Sequence, residues 1–582
     1  MANWVSAGSV KSLQEEKAKV IKGGIGVFYH EGDFYAVDNR CPHMGFPLHT
    51  GSLCDGILTC HWHHARFDVC SGGTLDPWAD DVPVYETKEE NGELWVNQAI
   101  TVSDKKEKYK QRLMKGLEQN LGLVIAKSVV GLINADVPAQ EIIKIGIQFG
   151  TTHRNHGWGP GLTILTAMSN SLPKLDTQGR IQALYQGLRR VAGDCAGQPP
   201  KHLTGPLSGF SGNADRLKTW YRNCTEVRDS QGAERIVLTA VESGMPDEEI
   251  SSMMMTAATD HFYMDAGHLL DFHNKAFEAA ELADTGLKKS IFASLTPLFS
   301  NAVRSEELHS WQAPVNLVTP LKAAFQEIDR LPFPEDPVPF DEKELLEVIL
   351  SDQPITMIHA LTETFKNGAS PVKVAQIVSL AAAERIVRFH IQNDFNDWIT
   401  VLHTFTHAHA VHESLRRTNE PALIRAVYHA AVSVYLDRFL NIPSTKRPVG
   451  QKEDEPLIAD DFLKILDIQQ QVNEAGQWAA NYLHQSKDTD ALFNTLGHAL
   501  LREDADFHSY QMYEAASREF DLWSGEGEAE GNTLAEYAQE TMIIAAARYL
   551  AAHAPTAREI PRVGKIAWRL HYGEKLFEEN ES

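Results

Sequence analysis

Two short segments near the amino terminus each carry one cysteine and one histidine at close spacing. The first reads Cys41-Pro42-His43, and after the loop 44–59 the second reads Cys60-His61-Trp62-His63. Two thiolates and two imidazoles suit a [2Fe–2S] cluster in which cysteines hold one iron and histidines hold the other. Zinc takes the same ligand types, but zinc fingers usually group cysteine with cysteine and histidine with histidine. The interleaved pairs favour the dinuclear cluster, because each loop must reach both irons.

The segments CPHxGxxL and CxWHxxRFD, within residues 1 to about 100, resemble the Rieske ferredoxin domain. Phe46 and Trp62 occupy the positions where cytochrome bc-type Rieske proteins carry an extra disulfide, so the resemblance is to the soluble ferredoxin or oxygenase type. His61 and His64 depart from the family, which usually has Pro and Gly there. The resemblance implies that cysteines hold the inner iron and histidines the outer one, the four ligands being Cys41, His43, Cys60 and His63.

Short runs of β-branched and aromatic residues between glycine turns predict the strands that position these loops. They lie at 18–21, 26–29, 34–37 and 93–96. The lysine-rich stretch 104–108 marks a boundary. The sequence therefore predicts a small all-β Rieske domain over residues 1–103.

Residues 104–582 read as helices to the end of the chain. Alanine-rich amphipathic stretches recur, for example at 372–389, 423–440 and 534–552, and no strand-rich segment follows residue 110. The proline-rich stretch 331–341 is a candidate sub-boundary within this large all-α domain. The predicted fold class is multidomain α+β, with a small all-β domain followed by a large all-α one.

The composition limits the partners of the chain. With 43% hydrophobic and 23% charged residues in 582, it is ordinary globular material. A formal net charge of −24 argues against nucleic acid or an anionic membrane as a partner. The first residues have no apolar signal-like segment, and no run of eighteen apolar residues occurs. We therefore predict a cytoplasmic protein that does not enter a membrane.

A cluster of histidines at 260–278 is a candidate site for the electron that a Rieske cluster would deliver. At 100° per residue, Asp265 and His268 would share one helical face with His261 and Phe272. The spacing Asp265-x-x-His268-x4-His273 matches that of the iron ligands in Rieske oxygenases, whose third ligand would be Asp394. Two histidines and one carboxylate would leave positions open for O₂.

Four other segments resemble the questin oxidase-like family, whose fungal enzyme opens an anthraquinone ring in a Baeyer–Villiger-like oxidation. They are 152–156, 272–278, 403–410 and 503–508. The resemblance implies an oxygenase that acts on a hydrophobic, aromatic or quinone-like substrate. In helices, His403 and His407 would share a face, as would His153 and His156. Together the two resemblances give nine catalytic or second-metal candidates: His153, His156, Asp265, His268, His273, Asp394, His403, His407 and His508.

We predict an oxidoreductase whose cluster feeds electrons to a histidine-rich helical site, with a non-haem iron as a candidate second metal. Metal-free oxidation, with the histidines as acid–base groups, is the alternative at that site. The chain shows no flavin, nicotinamide or P-loop motif, so a separate reductase or ferredoxin would donate the electrons. O₂ and a small hydrophobic substrate would complete the reaction. A homo-oligomer is a possible state of the protein, because electron transfer in Rieske oxygenases crosses a subunit interface. The alternative is an electron-carrier or redox-sensing protein whose helices form a docking scaffold without a second active site.

Overall fold

The structure, a computed structural model, describes residues 3–98, 105–308, 315–452, 455–486, 488–525 and 533–574. Within these ranges every strand lies between Trp4 and Asn97, and all later regular elements are helices. The predicted fold class, a small β domain followed by a large helical region, is therefore confirmed.

The strands form three small antiparallel sheets, with the orders β1-β10-β9, β2-β3-β4-β8 and β5-β6-β7. The four predicted strands are confirmed as β2, β3, β4 and β10. The strands are β1 (Trp4–Ser9), β2 (Ala18–Ile21), β3 (Ile25–His30), β4 (Asp33–Asp38), β5 (Ser52–Cys54), β6 (Ile57–Thr59), β7 (Arg66–Asp68), β8 (Val84–Tyr85), β9 (Thr87–Glu90) and β10 (Glu93–Asn97).

Two apolar clusters hold these sheets together. One packs around Val27, Ala36 and Val96, where β3, β4 and β10 turn one face inward. The other apolar cluster surrounds Leu58 and Phe67 and contains both cysteines that are predicted to bind the [2Fe–2S] group. The short sheet β5-β6-β7 therefore anchors the second cluster loop directly in a packed core.

The helical elements also agree with the predicted stretches, which correspond to α15, α17 and α22. Their bounds are α1 (Val10–Glu16), α2 (Lys105–Glu118), α3 (Gly122–Asn134), α4 (Ala139–Thr152), α5 (Pro160–Ser171), α6 (Thr177–Cys195), α7 (Ala214–Glu226), α8 (Ser230–Glu242), α9 (Asp247–Thr259), α10 (His268–Leu282), α11 (Lys288–Asn301), α12 (Val318–Ile328), α13 (Glu342–Leu350), α14 (Pro354–Lys366), α15 (Pro371–Val387), α16 (Phe395–Arg417), α17 (Ala422–Asp437), α18 (Phe462–Ile465), α19 (Val472–Gln485), α20 (Thr489–Leu501), α21 (Phe507–Ser524), α22 (Thr533–His553) and α23 (Glu559–Tyr572).

The chain divides into two compact units. The first comprises Met1–Pro138 and Arg562–Ser582, and the second comprises Ala139–Pro561. Helices α2 and α3 thus group with the strands. The segment 331–341 joins α12 to α13 inside the second unit. The expected domain boundary after residue 103 and the expected sub-boundary near 331–341 stay predictions.

Two helices of the second unit, α16 and α21, begin at aspartate N-caps. Asp394 caps α16 through the backbone N–H groups of Asn396 and Asp397. Asp506 caps α21 in the same way, accepting from the N–H of Ser509 at 3.0 Å. Aspartate is a favoured N-cap because its carboxylate satisfies N–H groups that the first turn leaves unpaired.

Helix α10 begins differently, and here one expectation was wrong. Residues 260–267 do not extend the helix: Tyr263, Asp265 and Ala266 have left-handed φ values of 47°, 53° and 54°, and Gly267 has φ 90°. Asp265 therefore does not share the face of α10 with His268. The residue types keep a helical spacing through residues 260–267, but the backbone of this segment is not helical.

Candidate metal centres

The two predicted cluster loops have matching backbone geometry. In the first, the N–H of Cys41 donates to the carbonyl of Phe46 at 2.8 Å, and Gly45 donates to Cys41 at 2.7 Å. In the second, Cys60 donates to Ala65 at 2.9 Å, and His64 donates to Cys60 at 3.1 Å. Each loop is thus a tight turn that closes on its own cysteine.

Burial differs sharply between the cysteines and the histidines of these loops. Cys41 and Cys60 are each 2% exposed. His43 is half-buried and His63 is exposed, with their ring centroids 4.8 Å apart. The sulfur atoms therefore lie in the core, whereas the imidazoles lie towards the surface.

The electrostatics of this region fit a group that binds thiolate and neutral imidazole. Burial raises the pKa of Cys41 to about 12, so its thiol stays protonated unless a cation stabilises the thiolate. Burial, together with the Lys127 ammonium and His63, lowers the pKa of His43 to about 4. The Nδ1 atom of His43 is buried and has no hydrogen-bond partner. The donors present therefore fit the expected [2Fe–2S] cluster.

Lys127 of α3 was not anticipated from the sequence, although it contacts the first cluster loop. Its ammonium donates to the carbonyl oxygens of Pro42 and His43, the latter at 3.0 Å. It also pairs with Asp80 at 3.1 Å, and Arg112 pairs with the same carboxylate at 2.7 Å. Burial opposes ionisation of Asp80, but these two cations keep its pKa below the ordinary value. A sequence motif could not reveal this contact, because α3 lies outside the cysteine–histidine segments.

In the second unit, three predicted histidines come together from distant parts of the chain. His268, His403 and His508 each offer a ligand atom, and these atoms all lie within 4.8 Å of one another. His403 Nε2 lies 2.9 Å from His508 Nε2. We call this group the three-histidine site. Its half-buried imidazoles have the spacing needed to hold a single metal ion.

The surroundings of the three-histidine site keep its imidazoles neutral and oriented. Burial and His508 lower the pKa of His268 to about 4, and burial with both neighbours lowers that of His403 to about 2. Asp506 Oδ2 lies 3.2 Å from His508 Nδ1, as expected of a carboxylate that orients a metal-binding histidine. Although burial opposes it, this contact helps lower the pKa of Asp506 to about 2.

Aromatic rings form an apolar wall beside the site. The His268 ring lies 5.4 Å from Phe272 and 5.7 Å from Phe507, and these two phenyl rings lie 5.7 Å apart. Phe272 follows His268 by one helical turn, and Phe507 directly precedes His508. The two phenyl rings thus place apolar aromatic surface directly beside His268.

Two other predicted candidates lie on the same helices, outside the three-histidine site. His273 is fully buried, and its Nε2 lies 3.5 Å from the hydroxyl of Ser251. His407 faces the carbonyl of Gly267 at 3.4 Å through Nδ1. Burial keeps the pKa of both imidazoles below the ordinary value. The structure places His508, rather than either of these residues, beside His268 and His403.

Four further candidates are placed elsewhere by local structure. Helix α4 ends at Thr152, so the expected shared helical face of His153 and His156 was wrong. His153 packs on Phe149, and His156 and Asp265 line a polar cleft of about 610 Å³. Asp394 is occupied as the N-cap of α16.

One buried group, in which two histidines of α16 pair with a glutamate of α21, was not predicted from the sequence. The carboxylate of Glu519 accepts from Nδ1 of His409 at 2.8 Å and from Nδ1 of His412 at 2.9 Å. Burial opposes ionisation of Glu519, but the two imidazoles hold its pKa far below the ordinary value. The i,i+3 spacing of the histidines was a visible signal. The partner carboxylate, on another helix, was not.

Two properties, length and apolar character, decide whether a helix can span a membrane. Among the described residues, none combines the length and the apolar character that a bilayer span requires.

Comparisons with known proteins assign a family to part of the chain. Residues 3–86 match the Rieske [2Fe-2S] domain family. The ferredoxin component of the naphthalene 1,2-dioxygenase/salicylate 5-hydroxylase systems of Ralstonia sp is 33% identical over 93 residues, which cover 15% of this chain and 89% of that protein. Human apoptosis-inducing factor 3 is 27% identical over 143 residues, and the chain spans about a quarter of that protein's length, 24%. A solved complex of reduced oxygenase and oxidized ferredoxin in carbazole 1,9a-dioxygenase matches 17% of this chain at 24% identity, with a TM-score of 0.17.

Proposed function

Residues 3–86 of this chain belong to the Rieske [2Fe-2S] domain family, and from that premise we propose an oxidoreductase that couples its cluster to the three-histidine site. The Rieske domain binds a [2Fe–2S] cluster, and its similarity to dioxygenase ferredoxin components supports an electron-carrying role. In the proposed reaction, O₂ oxidises a small hydrophobic substrate in the second unit. The observation that carries this proposal is the convergence of His268, His403 and His508.

Cluster binding falls to the two loops of the first unit. Cys41 and Cys60 would hold the inner iron through their buried sulfur atoms, and His43 and His63 the outer iron through their ring nitrogens. The bound cluster supplies and accepts one electron at a time. A separate reductase or ferredoxin would donate these electrons. The exposure of His63 supports that route, because the outer imidazole lies at the protein surface.

The three-histidine site would hold a divalent first-row metal, with non-haem iron as the candidate. Such an ion supplies one-electron chemistry together with open coordination positions. The low pKa values of His268 and His403 keep both imidazoles neutral near pH 7, so each ring has one unprotonated nitrogen available to a metal. Asp506 holds the Nδ1 proton of His508, so its Nε2 is left to face the site.

Substrate binding would rely on the aromatic wall. Phe272 and Phe507 exclude water beside His268 and offer flat apolar surface to a ring-containing substrate. Because Phe272 and Phe507 present apolar rings beside His268, a substrate would be held there mainly by its shape and apolar area.

Metal analysis of the purified protein with His403 replaced by alanine tests the proposal. We expect roughly three irons per chain in the wild-type protein, two in the cluster and one in the helical unit. The His403→Ala variant should retain about two irons, with the rhombic spectrum of the reduced cluster unchanged. A His153→Ala variant is the control, because His153 packs on Phe149 outside the site.

A second candidate function is favoured by the ferredoxin relatives. In it the chain is an electron carrier or redox sensor, and the helical unit is a docking scaffold. Wild-type protein with about two irons, and O₂ uptake that His403→Ala does not change, would support this alternative and contradict the oxygenase.

A further inference from the structure

A buried polar seam continues from the three-histidine site along the same three helices. Asp271 of α10 and Gln511 of α21 each follow the site histidine of their helix by three residues, so they lie on the face that carries it. Each member of the seam is no more than 2% exposed. The polar seam comprises Asp271 and Lys275 of α10, His409 of α16, and Gln511, Glu514 and Glu519 of α21.

Packing alone does not account for these groups. Taking charges such as Lys275 and Glu514 out of water is unfavourable, and apolar residues of similar size often replace buried ion pairs without loss of stability. Helices α10, α16 and α21 could therefore pack through an apolar face. Ionisable groups placed along the face that leads to the site instead indicate a role in its chemistry.

One end of the polar seam reaches solvent. Lys275 Nζ donates to Glu514 at 2.6 Å. Asn170 of α5, which is exposed, donates through Nδ2 to Glu514 at 3.0 Å and to Glu278 at 2.7 Å. Glu514 is thus separated from bulk water by a single amide side chain.

The other end lies one helical turn from the site histidines. Gln511 Nε2 donates to the carboxyl of Asp271. His409 Nδ1 lies 2.8 Å from Glu519, and its Nε2, like the Oε1 of Gln511, is buried without a partner. Unpaired polar atoms in a polar interior commonly bind ordered water, which passes protons readily. From His268 to Lys275 the path covers roughly 10 Å along α10.

The protonation of Asp271 suits transfer at neutral pH. Burial raises its pKa to about 7, while Lys275, Gln511 and His409 favour the ionised form and Glu514 opposes it. A group that titrates near the working pH can both accept and release a proton.

We propose that the polar seam carries protons from solvent at Asn170 to the three-histidine site. The inference rests on the proposed function. Insertion of one oxygen atom consumes one substrate molecule, one O₂, two electrons and two protons, and it yields the oxygenated product and one water. The electrons come from the external reductase through the Rieske domain, one at a time. The seam supplies the two protons.

Reoxidation of the reduced holoprotein by dissolved O₂ tests this role without a known substrate. Protein reduced by dithionite, and freed of excess reductant, is mixed with O₂ in H₂O or D₂O while the cluster absorbance is followed. We expect a fast phase that His403→Ala removes. Asp271→Asn and Glu514→Gln should slow that phase by about tenfold or more, as loss of a proton donor does. Added formic acid should restore the rate, a rescue that a merely structural defect would not show.

Glu384→Gln is the matched control for Glu514→Gln. Glu384 of α15 is also buried and ion-paired, with Arg388 and Arg447, but it lies outside the seam. Its variant should keep the wild-type rate and solvent isotope effect. Iron content of the seam variants checks that they fold and keep their metal.

The outcomes separate the two proposals. If His403→Ala removes the fast phase while Asp271→Asn and Glu514→Gln behave as the wild type in both solvents, the proton path is wrong and the proposed function stands. If His403→Ala leaves reoxidation unchanged, the site takes no part in O₂ reduction and both proposals fail.

Discussion

His64 follows the second pair of cluster ligands and has a left-handed backbone, with φ 61°. The position is exposed and closes the loop through its N–H to Cys60. A side chain with a Cβ atom is strained in this region, whereas glycine adopts it freely. The family's usual glycine therefore has a geometric reason, and His64 need not contact the cluster.

His64→Gly should accordingly stabilise the first unit by about 1 kcal/mol, the order of the left-handed penalty for a residue with a Cβ atom. The cluster spectrum should not change. Thermal unfolding followed at the cluster absorption bands measures the effect. A variant that unfolds earlier, or that loses the cluster, would show that the imidazole has a role in binding.

Lys127 places a positive charge against the loop that carries Cys41 and His43. Reduction adds an electron to the cluster, and a nearby cation favours the more negative state. Lys127→Met should therefore lower the reduction potential, on the order of tens of millivolts for a charge effect of this kind.

A spectroscopic redox titration of the purified protein checks this expectation. Lys108→Met is the control, because Lys108 pairs with Asp81 at the surface and is half exposed, at 53%. Solvent screens a charge in that position. An unchanged or higher potential in the Lys127 variant would contradict the electrostatic argument.

At the scale of elements, the start of α10 decides where His268 points. Gly267 has φ 90°, and a Cβ added there would lie 3.0 Å from the ring of Tyr263 and 3.1 Å from the Cβ of His407. Alanine would be strained by its backbone and crowded on both sides. Only glycine lets the left-handed segment turn into the helix at this point.

Gly267→Ala should destabilise the second unit by about 1–2 kcal/mol or more and reduce metal binding at the three-histidine site, since the first residue of α10 would be displaced. Gly244→Ala provides a matched control. Gly244 also has a positive φ, 73°, but no atom lies within 4 Å of the added Cβ. The Gly244→Ala substitution should lower the free energy of unfolding by a similar amount and leave the iron content unchanged. Equal iron in both variants would contradict the positioning role of α10.

The elements show where sequence patterns succeed and fail. Helices α15, α17 and α22 follow the apolar periodicity closely, because the residues that pack in the core of a helical domain recur at the helical spacing that the sequence shows. The break before His268 was missed because Asp265 and Ala266 are ordinary residues held in left-handed geometry by their surroundings. Only Gly267 hinted at it.

For the whole second unit, buried acids make stability depend on pH. Asp437 at the end of α17 is 4% exposed, and burial raises its pKa to about 8. A raised folded pKa means that its contribution to stability is complete below the unfolded value, near 4, and is lost as the pH rises towards 8.

Asp437→Asn removes this dependence, because an amide stays neutral at every pH. The variant should gain stability relative to the wild type between pH 5 and 8.5, by several kcal/mol if the full shift is expressed, at about 1.4 kcal/mol per pKa unit. Chemical unfolding at the two pH values measures the difference. A constant difference between variant and wild type would show that Asp437 is already ionised in the folded protein.

Over the whole chain, the cluster loops and the three-histidine site differ in how far the sequence reveals them. The cluster loops form one local segment with fixed spacing, so the motif could be recognised directly. The three-histidine site joins residues from α10, α16 and α21, and no spacing rule links His268 to His403 or His508. The candidates were identified individually, but their grouping depends on tertiary packing. Asp506, which orients His508, was visible beside it in the sequence.

The assignment of most of α23, from Arg562 on, to the first unit has a practical consequence. Residues 562–582 belong with Met1–Pro138, and Arg40 donates to the carbonyl of Leu570 at 3.1 Å. The second unit is thus an insertion in sequence, entered at Ala139 and left after Pro561. A fragment cut at Pro138 would lose this contact and the buried Ala567, so an isolated cluster unit must be expressed with α23 rejoined through a linker.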